Sequence, residues 1–169
     1  MKHINKLTIF IAFLSSILLL SCGSSKTIAE KAKQAQELNE QISNFDFKFL
    51  ATYAYPTNYG SIYLSPYYDV TVSADTVSVY LPYYGRAYSA PMAPRDGGIK
   101  FESTDFEYEV EKGGKKGNWL VTILTKDTPK QMRLYFNLWD NGTGRLDVQD
   151  PSRQSISFQG TIEPRKENK

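Results

Sequence analysis

Past Cys22 this 169-residue chain contains neither histidine nor cysteine; His3 and Cys22 are the only ones it has. Ser-His-Asp and Cys-His triads, histidine-bearing zinc sites and a histidine general acid or base are thereby excluded from most of its length. A single cysteine also precludes an internal disulfide, so packing must hold the fold together. Long apolar runs are scarce too. The one from Leu7 to Leu20, 14 residues broken by Thr8, Ser15 and Ser16, falls short of the ~20 that a membrane-spanning helix needs. A Gly-rich phosphate loop is missing: Gly113-Gly114-Lys115-Lys116-Gly117 joins two strand-like segments and opens no helix. Charge of one sign does not prevail either. The chain has 20 Lys+Arg against 18 Asp+Glu, and setting aside residues 1–21, which hold Lys2 and Lys6 and no acid, leaves 18 against 18. Nucleic acid is therefore not an expected partner, and neither residue inventory nor motif calls for a metal or cofactor.

What is present begins with an address. Met1-Lys2-His3-Ile4-Asn5-Lys6 is basic, the run to Leu20 is apolar, and a small residue, Ser21, precedes Cys22. This is the three-part layout of a secretory signal over residues 1–21. Leu19-Leu20-Ser21-Cys22-Gly23 resembles the lipobox of bacterial lipoproteins. The resemblance implies lipidation of the Cys22 thiol, cleavage before it and acylation of the new amino terminus. Each buried CH₂ of such chains is worth ~0.8 kcal/mol, so several acyl chains anchor a domain durably. Membrane contact is thus expected through the N-terminal lipid, with residues 22–26 as a flexible tether.

From Thr27 to Asn44, Ile28, Ala32, Ala35, Leu38 and Ile42 recur at helical spacing, and Thr27 with Glu30 forms a capping box. The spacing predicts an amphipathic helix over 27–44. Beyond Phe45 the apolar period changes from about 3.6 to 2. Tyr68, Val70 and Val72, then Val77, Val79 and Leu81, predict a hairpin turning at Ala74-Asp75-Thr76. Phe106, Tyr108 and Val110 pair with Trp119, Val121 and Ile123 across the glycine-rich turn. Met132 to Leu138, Leu146 with Val148, and Ile156 to Ile162 continue the pattern, separated by Asp140-Asn141-Gly142-Thr143-Gly144 and Asp150-Pro151-Ser152. The expectation is a mainly β domain over 45–163, an antiparallel sandwich or small barrel of about six to nine strands, with a polar tail at 164–169.

Four stretches then look familiar: Leu64-Ser65-Pro66-Tyr67-Tyr68-Asp69-Val70, Tyr80-Leu81-Pro82-Tyr83-Tyr84-Gly85-Arg86-Ala87-Tyr88, Gly97-Gly98-Ile99-Lys100-Phe101, and Ser152-Arg153-Gln154-Ser155-Ile156-Ser157-Phe158-Gln159-Gly160. They resemble a Bacteroidota lipoprotein family catalogued as domain of unknown function 4251. The resemblance implies a compact β domain on a lipid anchor and brings no activity or catalytic residue with it. Surface lipoproteins of that group often carry acids directly after the cysteine. Gly23-Ser24-Ser25-Lys26 has none, which points to the periplasmic face of the outer membrane.

Carboxylates remain as possible catalysts, since a glycosidase needs only two acids about 5 to 10 Å apart. Yet Glu107, Glu109 and Glu111 alternate with apolar residues, the pattern of a solvated strand face. Asp140, Asn141 and Asp147 lack a full calcium loop and read as part of a turn.

Tyrosine is the residue in excess: ten of twelve fall at 53, 55, 59, 63, 67, 68, 80, 83, 84 and 88. Alternation turns adjacent Tyr83 and Tyr84 to opposite faces, so some rings are exposed. Exposed tyrosines suit sugar faces and protein surfaces, and Arg86 and Arg153 add planar donors. The candidate binding surface is Tyr83, Tyr84, Arg86, Tyr88 and Arg153. Asp75-Thr76-Val77 resembles the O-glycosylation signal of the same bacterial group, which would modify Thr76. The expected function is a non-enzymatic binding or assembly module for glycan, peptidoglycan or an envelope protein. The alternatives are a carboxylate-dependent hydrolase of envelope glycans and a passive structural or stress protein.

Overall fold

A computed structural model describes residues 27–88 and 97–163. The expected signal at 1–21, the tether at 22–26 with Cys22, and the tail at 164–169 lie outside the described residues. Among the described residues no helix is long and apolar enough to cross a membrane.

Helix α1 spans Ile28–Ser43. The capping box forms as its sequence dictates: the Glu30 N–H donates to Thr27 Oγ1 at 3.2 Å and the Thr27 N–H to Glu30 Oε2 at 2.8 Å. The expected apolar face is buried only in its second half, at Leu38 and Ile42, while Ala32 is exposed. The helix stops in a Schellman motif, with Phe45 N–H bonded to the Ile42 carbonyl and Asp46 N–H to the Gln41 carbonyl. Phe45 takes the left-handed position, φ 55°, where a bulky side chain costs about 1–3 kcal/mol. Its ring meets Tyr108 edge-on at 4.1 Å, a contact that offsets part of that cost.

The strands are β1 (Phe47–Pro56), β2 (Ile62–Tyr63), β3 (Asp69–Val72), β4 (Val77–Leu81), β5 (Ile99–Ser103), β6 (Phe106–Lys112), β7 (Asn118–Thr125), β8 (Arg133–Trp139), β9 (Thr143–Gln149) and β10 (Ile156–Glu163). They form one antiparallel sheet in the order β5-β4-β3-β1-β10-β9-β8-β7-β6, with β2 paired to β1 off this path. Of the two expected architectures the barrel is the one found, nearly closed. Nine strands alternate in direction along the path, so the first and last, β5 and β6, run the same way. They are two halves of one bent strand: β5 pairs with β4, the chain bends at Thr104-Asp105, and β6 pairs with β7.

Asp127 pins that bend. Its carboxylate accepts from Ser103 Oγ at 2.5 Å, from the Thr104 N–H at 2.8 Å and from the Asp105 N–H at 3.2 Å. These donors, the Ser103 hydroxyl foremost, pull its pKa down to about 2.

Inside the sheet, Phe47 and Phe49 both meet Phe136 edge-on, at 5.6 and 5.7 Å. Val70, Val79, Leu134, Leu146 and Phe158 are among the buried residues packed around them. From Gln34 onward α1 is stitched to one end of the sheet. Trp119 Nε1 donates to Asn39 Oδ1, the Tyr108 hydroxyl to the Ile42 carbonyl, and Gln34 Nε2 to the Asn141 carbonyl. The expected hairpin turns all form; at the β8–β9 turn Gly142 has φ +82°, a conformation that favours glycine.

Candidate functional site

β1 decides where the tyrosines go. Up to Ala51 its odd-numbered residues Phe47, Phe49 and Ala51 point inward, and simple alternation would carry Tyr53 and Tyr55 inward after them. Against β10, however, the register shifts between Ala51 and Tyr53. This bulge adds Thr52 to one strand only and reverses the phase. Ala54 and Pro56 are buried instead, while Tyr53 is 38% exposed and Tyr55 half-buried.

The result is an aromatic platform on the outer face of β2, β1, β10 and β9. Tyr53 lies directly across from Tyr63, their rings edge-to-face at 5.4 Å. The Tyr55 hydroxyl donates to Gln159 Oε1 at 2.8 Å, and the Arg145 guanidinium stands 5.9 Å from the Tyr55 ring centre. Arg145 also donates to Ser157 Oγ at 2.8 Å and to Asp147 Oδ1 at 3.2 Å. The Ser157 hydroxyl bonds to Asp147 as well. Flat rings are thus bordered by amide, guanidinium and carboxylate groups. Sequence reasoning placed these tyrosines in its rich segment, read Asp147 as part of a turn and missed Arg145 and Gln159; Asp147 lies within β9, and all three join the site only through the β1–β10–β9 register.

The residues favoured by sequence are arranged differently. β4 ends at Leu81, so strand alternation does not govern Tyr83 and Tyr84; both are half-buried and pack against the core. The Tyr83 hydroxyl lies 2.8 Å from the Arg86 carbonyl and 3.0 Å from the Gln154 carbonyl, donating to one at a time. Burial raises its pKa, partly opposed by the Gln154 bond and Arg153. Arg153 stacks over that ring at 5.1 Å, donates to the Gly98 carbonyl at 3.0 Å and pairs with Asp150 at 3.1 Å. The structure therefore brings Tyr83, Arg86 and Arg153 together, but as a clasp that ties the segment after β4 to the β9–β10 turn. Arg86 and Tyr88 expose their side chains, and the Tyr88 N–H bonds to the Ser152 carbonyl. Thr76 is half-buried at the end of the β3–β4 turn, its carbonyl accepting from the Ser73 N–H and hydroxyl.

The acids are spread out. Glu107, Glu109 and Glu111 are exposed along β6, with Glu107 paired to Lys126 at 2.9 Å. Among the described residues no cluster of three His, Cys, Asp or Glu side chains is placed to hold a metal ion.

Comparison with curated proteins finds no match. Among solved structures, the crystal structure of a DUF4251 family protein from Bacteroides eggerthii shares the fold, with TM-score 0.61 and 12% identity over 79% of this chain and 89% of that one. The family model described as "Domain of unknown function (DUF4251)" matches residues 29–162, from within α1 to the last residue but one of β10. The β domain up to Ile162 and the second half of α1 that caps it thus fall within the match, and the chain belongs to the DUF4251 family.

Proposed function

We propose that this protein is a lipid-anchored envelope module, not an enzyme, that holds a glycan strand near the membrane. Acyl chains on Cys22 supply the anchor, and the tether that follows, lacking acids, favours the periplasmic face of the outer membrane. The bulge in β1 is the observation that carries the binding role: it turns Tyr53 and Tyr55 out of a core that takes Ala54 in their place. Bulges recur where a side chain is re-aimed for a task. Tyrosine rings stack on the apolar faces of pyranoses while losing little rotamer entropy. Arg145, Asp147 and Gln159 offer the hydroxyl-binding groups at the border.

Two measurements test the two halves. Full-length protein should fractionate with membranes and Cys22→Ala protein should not; equal partition refutes the anchor. Full-length protein in detergent should co-sediment with peptidoglycan sacculi, and the Tyr53→Ser, Tyr63→Ser double variant should not. A folded double variant that sediments like wild type refutes the platform, and capture of an envelope protein instead of sacculi refutes the glycan.

A further inference from the structure

β6 is an edge strand whose bonding phase is set at its two ends. The Gly113 N–H donates to the Asn118 carbonyl and the Lys126 N–H to the Asp105 carbonyl, both at 2.8 Å. In an antiparallel ladder those pairs send the odd-numbered residues toward β7. The N–H and C=O groups of Phe106, Tyr108, Val110 and Lys112 face the other way and find no backbone partner among the described residues. Beside this edge lies a cleft of about 370 Å³, whose lining includes Phe45, Tyr108, Val110 and Trp119 together with Asn39 and Lys112. Val110, on the inward-facing side, is nevertheless 37% exposed.

Charge selects the occupant. On the outer side Glu107, Glu109 and Glu111 stand in a row, and among the described residues Lys126 pairs only with the first. A second copy of β6 would set glutamates against glutamates, which is destabilising across strands. A strand with lysine or arginine at alternate positions would meet opposite charge there, and its intervening apolar side chains would face the cleft.

We propose that β6 is a strand-addition site for an extended polypeptide segment alternating apolar and basic residues. The backbone of that segment pairs with Tyr108, Val110 and Lys112, its apolar side chains enter the cleft, and its cations lie against Glu109 and Glu111. This site is separate from the tyrosine platform and does not depend on glycan binding.

The test uses full-length protein in detergent and a seven-residue synthetic peptide alternating lysine with valine or isoleucine. The expected result is binding that protects the Val110 and Lys112 amides from hydrogen exchange. Affinity should exceed that of the glutamate-for-lysine peptide by about tenfold, from two cross-strand charge pairs. Glu109→Lys with Glu111→Lys should reverse that preference. Val110→Pro, which removes an N–H outside the ladder, should abolish binding; if it fails to fold, the charge reversal still decides. Equal affinity for both peptides, an unreversed preference, or protection confined to other strands would overturn the proposal. So would a concentration-dependent dimer protecting the same amides.

Discussion

Tyr53 keeps its ring partly exposed against Tyr63, whereas Tyr83 turns its hydroxyl onto backbone carbonyls and its face toward Arg153. Both come from one tyrosine-rich stretch, and composition treats them alike. Backbone context separates them. At Tyr53 a bulge points the side chain away from a core already filled by Ala51 and Ala54. At Tyr83 the strand has ended, and the loop uses the phenol as a donor to bind itself to the β9–β10 turn. Tyrosine density therefore marks a region, while register and strand ends decide which rings are free to bind.

Ala54→Tyr attacks this contrast most severely. It drives a ring into the fully buried position that the bulge assigns to alanine, where the surrounding core leaves no room for it. The variant should show no cooperative thermal transition; a native-like melt would refute the phase argument.

Breaking the clasp should cost less. Arg153→Ala leaves Asp150, 10% exposed, without its cation, and should lower stability in urea titration by about 2–3 kcal/mol. Tyr83→Phe removes one hydrogen bond and should cost about 1 kcal/mol. Neither should alter the platform's binding while the protein remains folded.

The smallest of the stability effects is read as a pH dependence. Asp127 has its pKa lowered on folding to about 2. Its contribution is therefore present above its unfolded value of about 4 and is lost as pH falls toward 2. Wild-type melting temperature should drop through that window, and the Asp127→Asn variant should be less stable at neutral pH with a flatter acid limb. Parallel pH curves for the two proteins would remove Asp127 from its role at the bend.

What could be read from sequence was local. The capping box of Thr27 and Glu30, the Gly113–Gly117 turn and the Asn141-Gly142 turn are decided within a few residues, and each forms as expected. The buried face of α1 was legible only in part, because which turns of an amphipathic helix are covered depends on what packs against it. Strand β1 was harder still. Its Phe47, Phe49, Ala51, Tyr53 and Tyr55 alternate as if on one face, and only pairing with β10 shows the shift. The union of β5 and β6 into one bent strand, and the approach of Arg145 and Gln159 to Tyr55, likewise arise from long-range register.

The central claim is that the outward rings bind and the clasped ring does not. Its most direct test is co-sedimentation of full-length protein with peptidoglycan sacculi, comparing Tyr53→Ser, Tyr63→Ser protein with Tyr83→Phe protein, both verified as folded. Loss of binding in the first with retention in the second is the predicted result; retention in the first, or equal loss in both, would contradict it.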